Sequence, residues 1–302
     1  MQCAFGARIT LFQNPVDLSR DAFTVDRIVH SRRVSDMAGG DGNVNGEQCK
    51  RRTEKYGEAW KELETVTAAE KERVAGLCRE IESRLSELPA LDAKNVRALR
   101  REVSQRISDL PSDVVLSLAV RLSRLNHVLA YELVYFHGSL LGSLRAADVE
   151  LLGKNMDSWG AVDCFAYYVA GPVWRARRIE DRVVHGWAAS PSPWWRRAAL
   201  VSTVPLNNKA RGGVGDTGRT IDVCRLLVAD REKVVVKAMS WALRQLSKCD
   251  REAVAGFVKE NESTLAALVK REVNNKLLTG RKVTRVDKPG TVRPDNRRRK
   301  PR

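Results

Sequence analysis

The chain is predicted to be all-α, a solenoid built from stacked pairs of helices. No segment alternates apolar and polar residues with the period of two that a half-buried strand requires. Instead, capping residues recur along the chain and divide it into roughly a dozen helical segments joined by short loops. Paired helices of this length stack side by side in a solenoid. The sequence has no repeat of fixed period, so we expect the repeats to be degenerate.

Capping signals delimit five helices in the first half of the chain. Thr67 and Glu70 form a capping box, and Pro89 ends the helix that this box opens. Asp92 is placed to cap the second helix, and Pro111 separates the second from the third. The fourth helix is strongly apolar, which predicts that it is buried. These helices are predicted at about 68–88, 92–107, 114–125, 127–141 and 146–154.

The second half begins with a helix that carries Trp159 and Asp163 and is capped by Asp157 or Ser158. Pro193, at the first position of the next helix, is a good helix opener because it has no N–H to leave unpaired. The later helices are predicted at 194–204, 220–228, 232–248, 251–260 and 264–278, with Asp250 and Ser263 capping the last two and Gly280 ending the last.

Both ends of the chain are predicted to lie outside the folded domain, which we place at residues 51–280. Residues 1–50 show no sustained periodicity and include a polar, glycine-rich run after Met37, as is typical of a disordered N-terminal extension. Met37 followed by that run resembles a protein start, so residues 1–36 are interpreted as an upstream extension of the reading frame. Residues 281–302 are predicted to be a disordered basic tail.

The charge of the chain is unevenly distributed. The formal net charge is +16. The tail, residues 281–302, carries ten Lys and Arg against two Asp and Glu, whereas residues 1–49 carry five against six. The rest of the positive excess therefore belongs to the folded body. A basic body together with a basic tail favours a polyanion partner, with general solubility, a ribosome-like role or a membrane-surface role as alternatives.

The cysteines and histidines indicate neither a disulfide framework nor a metal site. The six cysteines are scattered without a CxxC pair, and the four histidines lack metal-ligand spacing. No apolar run approaches the length of a membrane span, and the N-terminus lacks a signal-peptide pattern. We expect a monomer without metal, cofactor or membrane anchor, located in the cytoplasm with the nucleoid or, in a eukaryote, in the nucleus.

One glycine pattern resembles a nucleotide-binding motif but lacks its context. Gly213, Gly215 and Gly218 match the dinucleotide pattern GxGxxG, which has meaning only between a strand and a helix of a βαβ unit. The segment before it is predicted to be helical. The sequence favours a flexible loop from Asn207 to Gly218, whose Lys209 and Arg211 are candidates to contact a phosphate backbone.

A tryptophan and a carboxylate form the most informative pair in the sequence. Trp159 and Asp163 are four residues apart, so they share one face of a helix. Arg196 and Arg197 follow on a later helix. An aromatic ring beside a carboxylate, with arginines nearby, suits an electron-poor sugar next to a phosphate, and so suggests chemistry on nucleic acid. Taken alone, such a pair is more often structural, and the arginines are more often solvent-facing charges.

Four segments of the second half serve as landmarks. They are Ser158-Trp159-x-x-x-Asp163, Trp194-x-Arg-Arg197-Ala-Ala-Leu, Lys237-Ala-Met-Ser-Trp241-Ala-Leu-Arg244 and Arg271-Glu272-Val-x-Asn-Lys276-Leu-x-Thr-Gly280. In their order and spacing, residues from about 95 to 282, most of the predicted ordered chain, resemble the AlkD-like DNA alkylation repair family, whose members are DNA glycosylases built from HEAT-like helical repeats.

The resemblance implies a HEAT-like solenoid with a concave basic face that binds duplex DNA and excises N3- or N7-alkylated purines, without a metal or a cofactor. It makes Asp163 the catalytic carboxylate, places Trp159 and Trp241 in an aromatic cleft around the damaged nucleotide, and assigns Arg197 to a backbone phosphate. We expect Arg196, Lys237 and Arg244 to contribute further DNA contacts.

One departure and one alternative accompany this resemblance. Well-known members of the family carry an aromatic pair just before the Lys237–Trp241 segment, whereas this chain has Lys233 and Val234. DNA engagement or substrate range can therefore differ. The alternative function is a non-catalytic HEAT-like module that binds nucleic acid or an acidic protein, because the fold is shared with such scaffolds. Retention of Asp163 favours the enzyme.

Overall fold

The computed structural model of the chain describes residues 67–154 and 156–282, and every regular element in this part is helical. The predictions for residues 1–50, for the start of the domain at 51 and for most of the tail fall outside the described residues. The α-helices are α1 Ala68–Ser86, α2 Ala93–Arg106, α3 Ser112–Leu122, α4 His127–Phe136, α5 Leu140–Ser143, α6 Ala146–Leu152, α7 Trp159–Phe165, α8 Gly171–Arg175, α9 Asp181–Ala188, α10 Pro193–Ser202, α11 Thr217–Leu226, α12 Lys233–Leu246, α13 Arg251–Glu260 and α14 Ala267–Thr279.

The helices are arranged in two layers, as the prediction of an all-α helical repeat requires. One layer, which we call the front layer, consists of α2, α4, α7, α10, α12 and α14, and each of these helices packs against the next. Behind it, α1 packs on α3 and α9 packs on α11. Each front helix is thus held by its neighbours in the row, and residues from distant parts of the sequence come to lie side by side on one surface.

An aromatic cluster forms the centre of the core. Phe165 of α7 contacts Tyr131 of α4, Trp187 of α9 and Trp195 of α10, with ring centroids 5.7, 6.1 and 5.8 Å away. Trp195 is 9% exposed, whereas its neighbour Trp194 is only partly buried. The buried cluster joins three front helices, so α7 has little freedom to move relative to α10.

Most of the predicted helix starts are confirmed. The capping box of Thr67 and Glu70 is present, and the side chains of Asp92 and Asp250 each accept a backbone N–H of their helix. Ser158 caps α7 by accepting from Ala161 at 3.4 Å. Gly280 ends α14 with φ +69°, a left-handed conformation that glycine adopts without strain. None of the described helices is both long and apolar enough to span a membrane.

Two predictions of local structure are wrong, and one helix was not predicted. The unpredicted helix is Asp181–Ala188, and no side-chain cap marks its start. The apolar segment predicted as one helix from 127 to 141 breaks after Phe136 and resumes as the short helix Leu140–Ser143. Ser263 does not cap the last helix, which begins at Ala267 after a turn in which the N–H groups of Thr264 and Leu265 bond to the carbonyl of Asn261.

A π-helical segment, Ala166–Ala170, joins α7 directly to α8. Pro172 follows it, and a proline ring inside a helix clashes with the carbonyl four residues earlier. The helical turn is wider here, because the N–H of Gly171 donates to the carbonyl of Ala166, five residues earlier. Within this segment the ring of Tyr167 stacks on Trp241 of α12. The hydroxyl of Tyr168 accepts from Arg97 and Arg211.

The segment around the glycine pattern is more ordered than the predicted flexible loop. It contains two 3₁₀ turns, Pro205–Asn207 and Lys209–Arg211. Asn207 is buried and donates its amide to the carbonyl of Thr203 and the hydroxyl of Thr220, at 2.9 and 2.8 Å. The preceding element is helix α10, so the glycines do not follow a strand and the pattern has no βαβ context.

Candidate active site

Helices α7 and α12 present facing rows of side chains across α10. Trp159 and Asp163 lie on successive turns of α7, and Tyr167 follows in the π segment. Lys237 and Trp241 are four residues apart on α12, so they also share one face. Because α10 lies between the two helices in the front layer, its side chains form the floor between the rows. The structure thus brings the predicted aromatic and acidic residues to one place.

Asp163 and Arg197 form a bidentate ion pair at the centre of this site. The Nε and Nη2 atoms of Arg197 donate to the two carboxylate oxygens of Asp163 at 2.9 and 2.8 Å. The side chain of Arg197 is 3% exposed and that of Asp163 is 26% exposed. Paired N–H donors match the two oxygens of a carboxylate in one plane, so this contact fixes the orientation of Asp163 as well as its charge.

Two cations lie against the indole of Trp159. The guanidinium carbon of Arg197 is 4.1 Å from the ring centroid, and the ammonium of Lys237 is 4.7 Å away. Trp159 is 36% exposed, although it is a large apolar residue. Two positive charges therefore lie against a partly exposed indole, an arrangement that attracts phosphate oxygens to this part of the site.

Trp241 stacks on Tyr167 instead of facing Trp159 directly. The two ring centroids are 6.5 Å apart and the planes differ by 20°. Asp163 precedes Tyr167 by four residues and follows Trp159 by four, so the carboxylate lies between the Trp159 contacts and the Tyr167–Trp241 pair. Tyr167 was not predicted as a site residue. Its position four residues after Asp163 was the available signal, because that spacing places two residues on one face of a helix.

Burial and ion pairing have opposite effects on the pKa of Asp163. Burial raises the pKa of this carboxyl above its ordinary value, and the hydrogen bonds and charge of Arg197 lower it, but burial has the larger effect. The result is a carboxylate that is poorly hydrated and held by one arginine. A charge in such a setting acts strongly on a neighbouring cation, because water does not screen it.

The departure from the family pattern at Lys233 and Val234 has a structural counterpart. The backbone carbonyl of Val234 accepts a hydrogen bond from Nη1 of Arg197 at 2.6 Å. Arg197 therefore links α10 both to α7, through Asp163, and to the first turn of α12.

The other predicted DNA-binding residues are distributed over separate networks. Arg196 donates to Asp230 at 2.7 Å and to the carbonyls of Ser190 and Pro191. Arg244 donates to Ser240 at 3.1 Å and pairs with Glu272. Neither of these guanidiniums contacts Asp163 or Trp159. Lys209 is exposed on the 3₁₀ turn, and Arg211 lies against a group of tyrosines near Trp241.

Among residues 67–154 and 156–282, no group of three or more His, Cys, Asp or Glu side chains is placed to hold a metal ion.

Comparison with known proteins identifies the family of the chain. A search of curated proteins and a search of solved structures find no match. The family model described as DNA alkylation repair enzyme matches residues 94–277, which is more than half of the chain and includes every residue of the site. The chain therefore belongs to the DNA alkylation repair enzyme family.

Proposed function

We propose that the protein is a DNA glycosylase that hydrolyses the N-glycosidic bond of N3- or N7-alkylated purines in duplex DNA. Membership of the DNA alkylation repair enzyme family supports a role in the repair of alkylated DNA. The observation that carries the finer proposal is the carboxylate of Asp163, held rigidly by Arg197 between an exposed indole and a stacked pair of aromatic rings.

The chemistry of the lesion explains why so few groups are required. Alkylation at N3 or N7 gives the purine a positive charge, which makes it a good leaving group. When the bond between C1′ and the base nitrogen breaks, its electron pair leaves with the base and neutralises that charge. The sugar is left as an oxocarbenium-like cation, as in glycoside hydrolysis. Water adds to C1′ and gives up a proton.

In this proposal Asp163 stabilises the sugar cation and accepts the proton of the attacking water. Preorganised charge in a poorly hydrated site stabilises a transition state effectively, since the site does not have to reorganise. Trp159 and Trp241 lie on either side of the damaged nucleotide, and the faces of their rings attract the oxocarbenium-like sugar. Arg197 holds Asp163 in place and, together with Lys237, supplies positive charge for the adjacent phosphate.

The alternative is a non-catalytic module that binds nucleic acid or an acidic protein. It is favoured by the ion pair itself, because a scaffold would also use a buried Asp163–Arg197 pair to join α7 to α10. The two functions differ in one measurable respect, which is whether a base is released from DNA.

The test is single-turnover release of 7-methylguanine and 3-methyladenine from methylated duplex DNA, resolved by chromatography. The intact protein should release at least one of these bases. Asp163→Asn should slow release by roughly a few hundredfold, which corresponds to about 3–4 kcal/mol of transition-state stabilisation. It should still bind DNA, since phosphate contacts provide most of the affinity.

Asp222→Asn is the matched control, because Asp222 is an exposed carboxylate on α11 that pairs with Arg225. Its release rate should equal that of the wild type, and thermal melting should show that all three proteins are folded. Equal rates for Asp163→Asn and wild type would remove Asp163 from the mechanism. A folded wild type that binds methylated DNA but releases no base would establish the non-catalytic alternative.

A further inference from the structure

A second group of polar side chains lies beside the Asp163 site and takes no part in the chemistry above. Arg97 comes from α2, Tyr135 from α4, Tyr167 and Tyr168 from the π segment, and Arg211 from the second 3₁₀ turn. We call these five residues the guanidinium–tyrosine cluster. Tyr167 belongs to both groups, because its other face stacks on Trp241.

The cluster and its surroundings carry more positive than negative charge. Glu132 is 1% exposed and accepts from Nε of Arg97 at 2.7 Å. Arg100 also pairs with Glu132, at 3.4 Å. Arg211 forms no ion pair with any carboxylate in the described part of the chain. Three guanidiniums therefore share one carboxylate, and a bound anion would neutralise part of the remaining positive charge.

The hydroxyl of Tyr168 lies between two of these guanidiniums. It accepts from Nη2 of Arg97 at 3.3 Å and from Nη2 of Arg211 at 3.4 Å. A phenol has two lone pairs and one proton to donate, so these two bonds use its acceptor capacity. Its proton finds no acceptor among the described residues. Two guanidiniums and one O–H donor thus converge on the same small region.

Arg211 is held in place before any ligand arrives. Its guanidinium carbon lies 5.3, 5.2 and 5.0 Å from the ring centroids of Tyr135, Tyr167 and Tyr168. Its backbone carbonyl accepts from Nη1 of Arg175, and the turn closes at Gly212 with φ +77°. A donor that is already ordered loses little side-chain entropy when it binds, which strengthens each hydrogen bond that it makes.

The cluster is open to solvent on the side of the arginines. The side chain of Arg97 is 44% exposed and Arg211 is partly exposed, whereas Tyr168 is 8% exposed. An incoming anion therefore meets the guanidiniums first and the hydroxyl at the bottom of the site. A phosphodiester matches these donors, because it carries one negative charge and several oxygens that can accept hydrogen bonds from guanidiniums and a hydroxyl at once.

We propose that Arg97, Arg211 and Tyr168 bind a backbone phosphodiester of the DNA strand whose damaged nucleotide lies at Asp163. The proposal rests on the proposed function for the identity of the strand. The Tyr167–Trp241 stack connects the two sites, so a strand that places a nucleotide beside Asp163 continues past Tyr167 to the cluster. Binding there determines which nucleotide is presented to the carboxylate.

The test measures the binding of the full chain to an undamaged duplex by fluorescence anisotropy over a range of salt concentrations. Arg211→Gln should weaken binding by roughly tenfold, the value of one hydrogen bond to a charged group. It should also reduce the slope of log affinity against log salt by about one unit, because one phosphate is no longer neutralised. Arg251→Gln is the control, since it removes the same charge from an exposed residue of α13. It should change neither value by a comparable amount.

Tyr168→Phe separates the hydroxyl from general electrostatics. It keeps the ring and the net charge, so affinity should fall by about three- to tenfold while the salt slope stays the same. Equal affinities and slopes for Arg211→Gln and Arg251→Gln would overturn the proposal. So would tighter binding of an acidic peptide than of duplex DNA at the same ionic strength. These measurements need no base release, so cluster-dependent binding without excision would refute the glycosylase and leave the phosphate site standing.

Discussion

The ion pair with Arg197 affects both the orientation and the ionisation of Asp163. Its carboxylate is partly accessible, yet burial raises its pKa and Arg197 only partly offsets that effect. The proposed stabilisation of a sugar cation requires an ionised carboxylate, which would give the ion pair a second role besides orientation. The hydrogen bonds and the charge of Arg197 lower the pKa of Asp163 and so favour its ionised form. In the proposed mechanism Arg197 is therefore a positioning residue that also favours the active protonation state of its partner.

The pH dependence of base release tests this role. Release requires the carboxylate, so the rate should fall as the pH drops through the pKa of Asp163. Because that pKa is raised, the acid limb should lie above the ordinary value for aspartate of about 3.9. Arg197→Gln removes the charge that lowers the pKa, so the acid limb should move to still higher pH. Single-turnover rates at saturating DNA, corrected for spontaneous depurination, measure the shift.

Arg197→Lys serves as the control for charge. It keeps a cation beside Asp163 but loses the paired donors, so its acid limb should lie between those of the wild type and Arg197→Gln. If the acid limbs of all three proteins coincide, Arg197 does not govern the ionisation of the catalytic group. A lower rate with an unchanged pH profile would assign Arg197 to phosphate binding alone, as the sequence prediction has it.

At the same scale, the sequence predicted the Trp159–Asp163 pair from helical spacing and missed the contacts between helices. Trp159 and Asp163 share a face because four residues make about one turn. The bond from Arg197 to Asp163 was not predicted, since it joins residues on two helices that the sequence does not orient relative to each other. Tyr167 was missed although it lies four residues after Asp163, and the contacts of Tyr168 with Arg97 and Arg211 were missed because they join distant parts of the sequence.

At the scale of elements, the junction between α7 and α8 follows those tyrosines in the chain. Gly171 occupies this junction where it packs against the end of α10. A Cβ atom on Gly171 would lie 2.7 Å from the carbonyl oxygen of Ser202 and 2.8 Å from the ring of Pro205. Both of these neighbours are rigid, so they have little room to yield. The close approach of α8 to α10 therefore requires glycine at this position.

Gly171→Ala should destabilise the fold by about 1–3 kcal/mol, the usual effect of overpacking a well-filled interior. For a chain of this size the melting temperature should fall by roughly 2–4 °C for each kcal/mol. Gly186→Ala is the matched control, because nothing lies within 4 Å of a Cβ atom at that helical position. It should leave the melting temperature unchanged or raise it, since alanine favours the helix by up to about 1 kcal/mol. Equal melting temperatures for the two variants would show that the junction has room to adapt.

Three of the helix starts that capping residues predicted have the expected side-chain caps, and the unpredicted helix α9 has none. Thr67, Asp92 and Asp250 accept backbone N–H groups, and each had marked its helix in the sequence. Helix α9 starts after Glu180 without a side-chain cap bond, within a run of charged residues that hides its apolar face. The break after Phe136 has no proline to mark it, so apolar content alone suggested one long helix.

For the molecule as a whole, the front layer concentrates the groups that suit DNA. Its helices supply Arg97, Asp163, Arg197, Lys237 and Trp241, which lie far apart in the sequence but in neighbouring positions of one row. The sequence predicted an all-α helical repeat and a basic body, but not which helices share a layer. That information depends on packing between residues that are distant in the chain, which local periodicity does not contain.

Charge beyond the folded body should act on DNA binding without acting on the chemistry. The sequence prediction treated 281–302 as one basic tail, but Lys282 pairs with Glu272 of α14 at 3.3 Å, so a truncation that spares the fold ends after residue 282. Residues 283–302 carry eight Lys and Arg against two Asp and Glu. Removing them should lower affinity for undamaged duplex DNA and flatten the salt dependence, by nearly one unit of slope for each phosphate that the tail would otherwise neutralise.

The same truncation should leave the single-turnover rate of base release at saturating DNA within about twofold of the wild type, because Asp163 and its neighbours retain every contact. The tail should affect only the association rate and the affinity for DNA. A variant in which those basic residues are replaced by Gln controls for chain length, and should behave as the truncation does. If affinity is unchanged between roughly 50 and 200 mM salt, in the truncated and intact proteins alike, the inference of a polyanion partner from the net charge is wrong. If affinity falls and the rate falls with it, the tail takes part in placing the lesion at Asp163, and binding and chemistry are not separable by position in this chain.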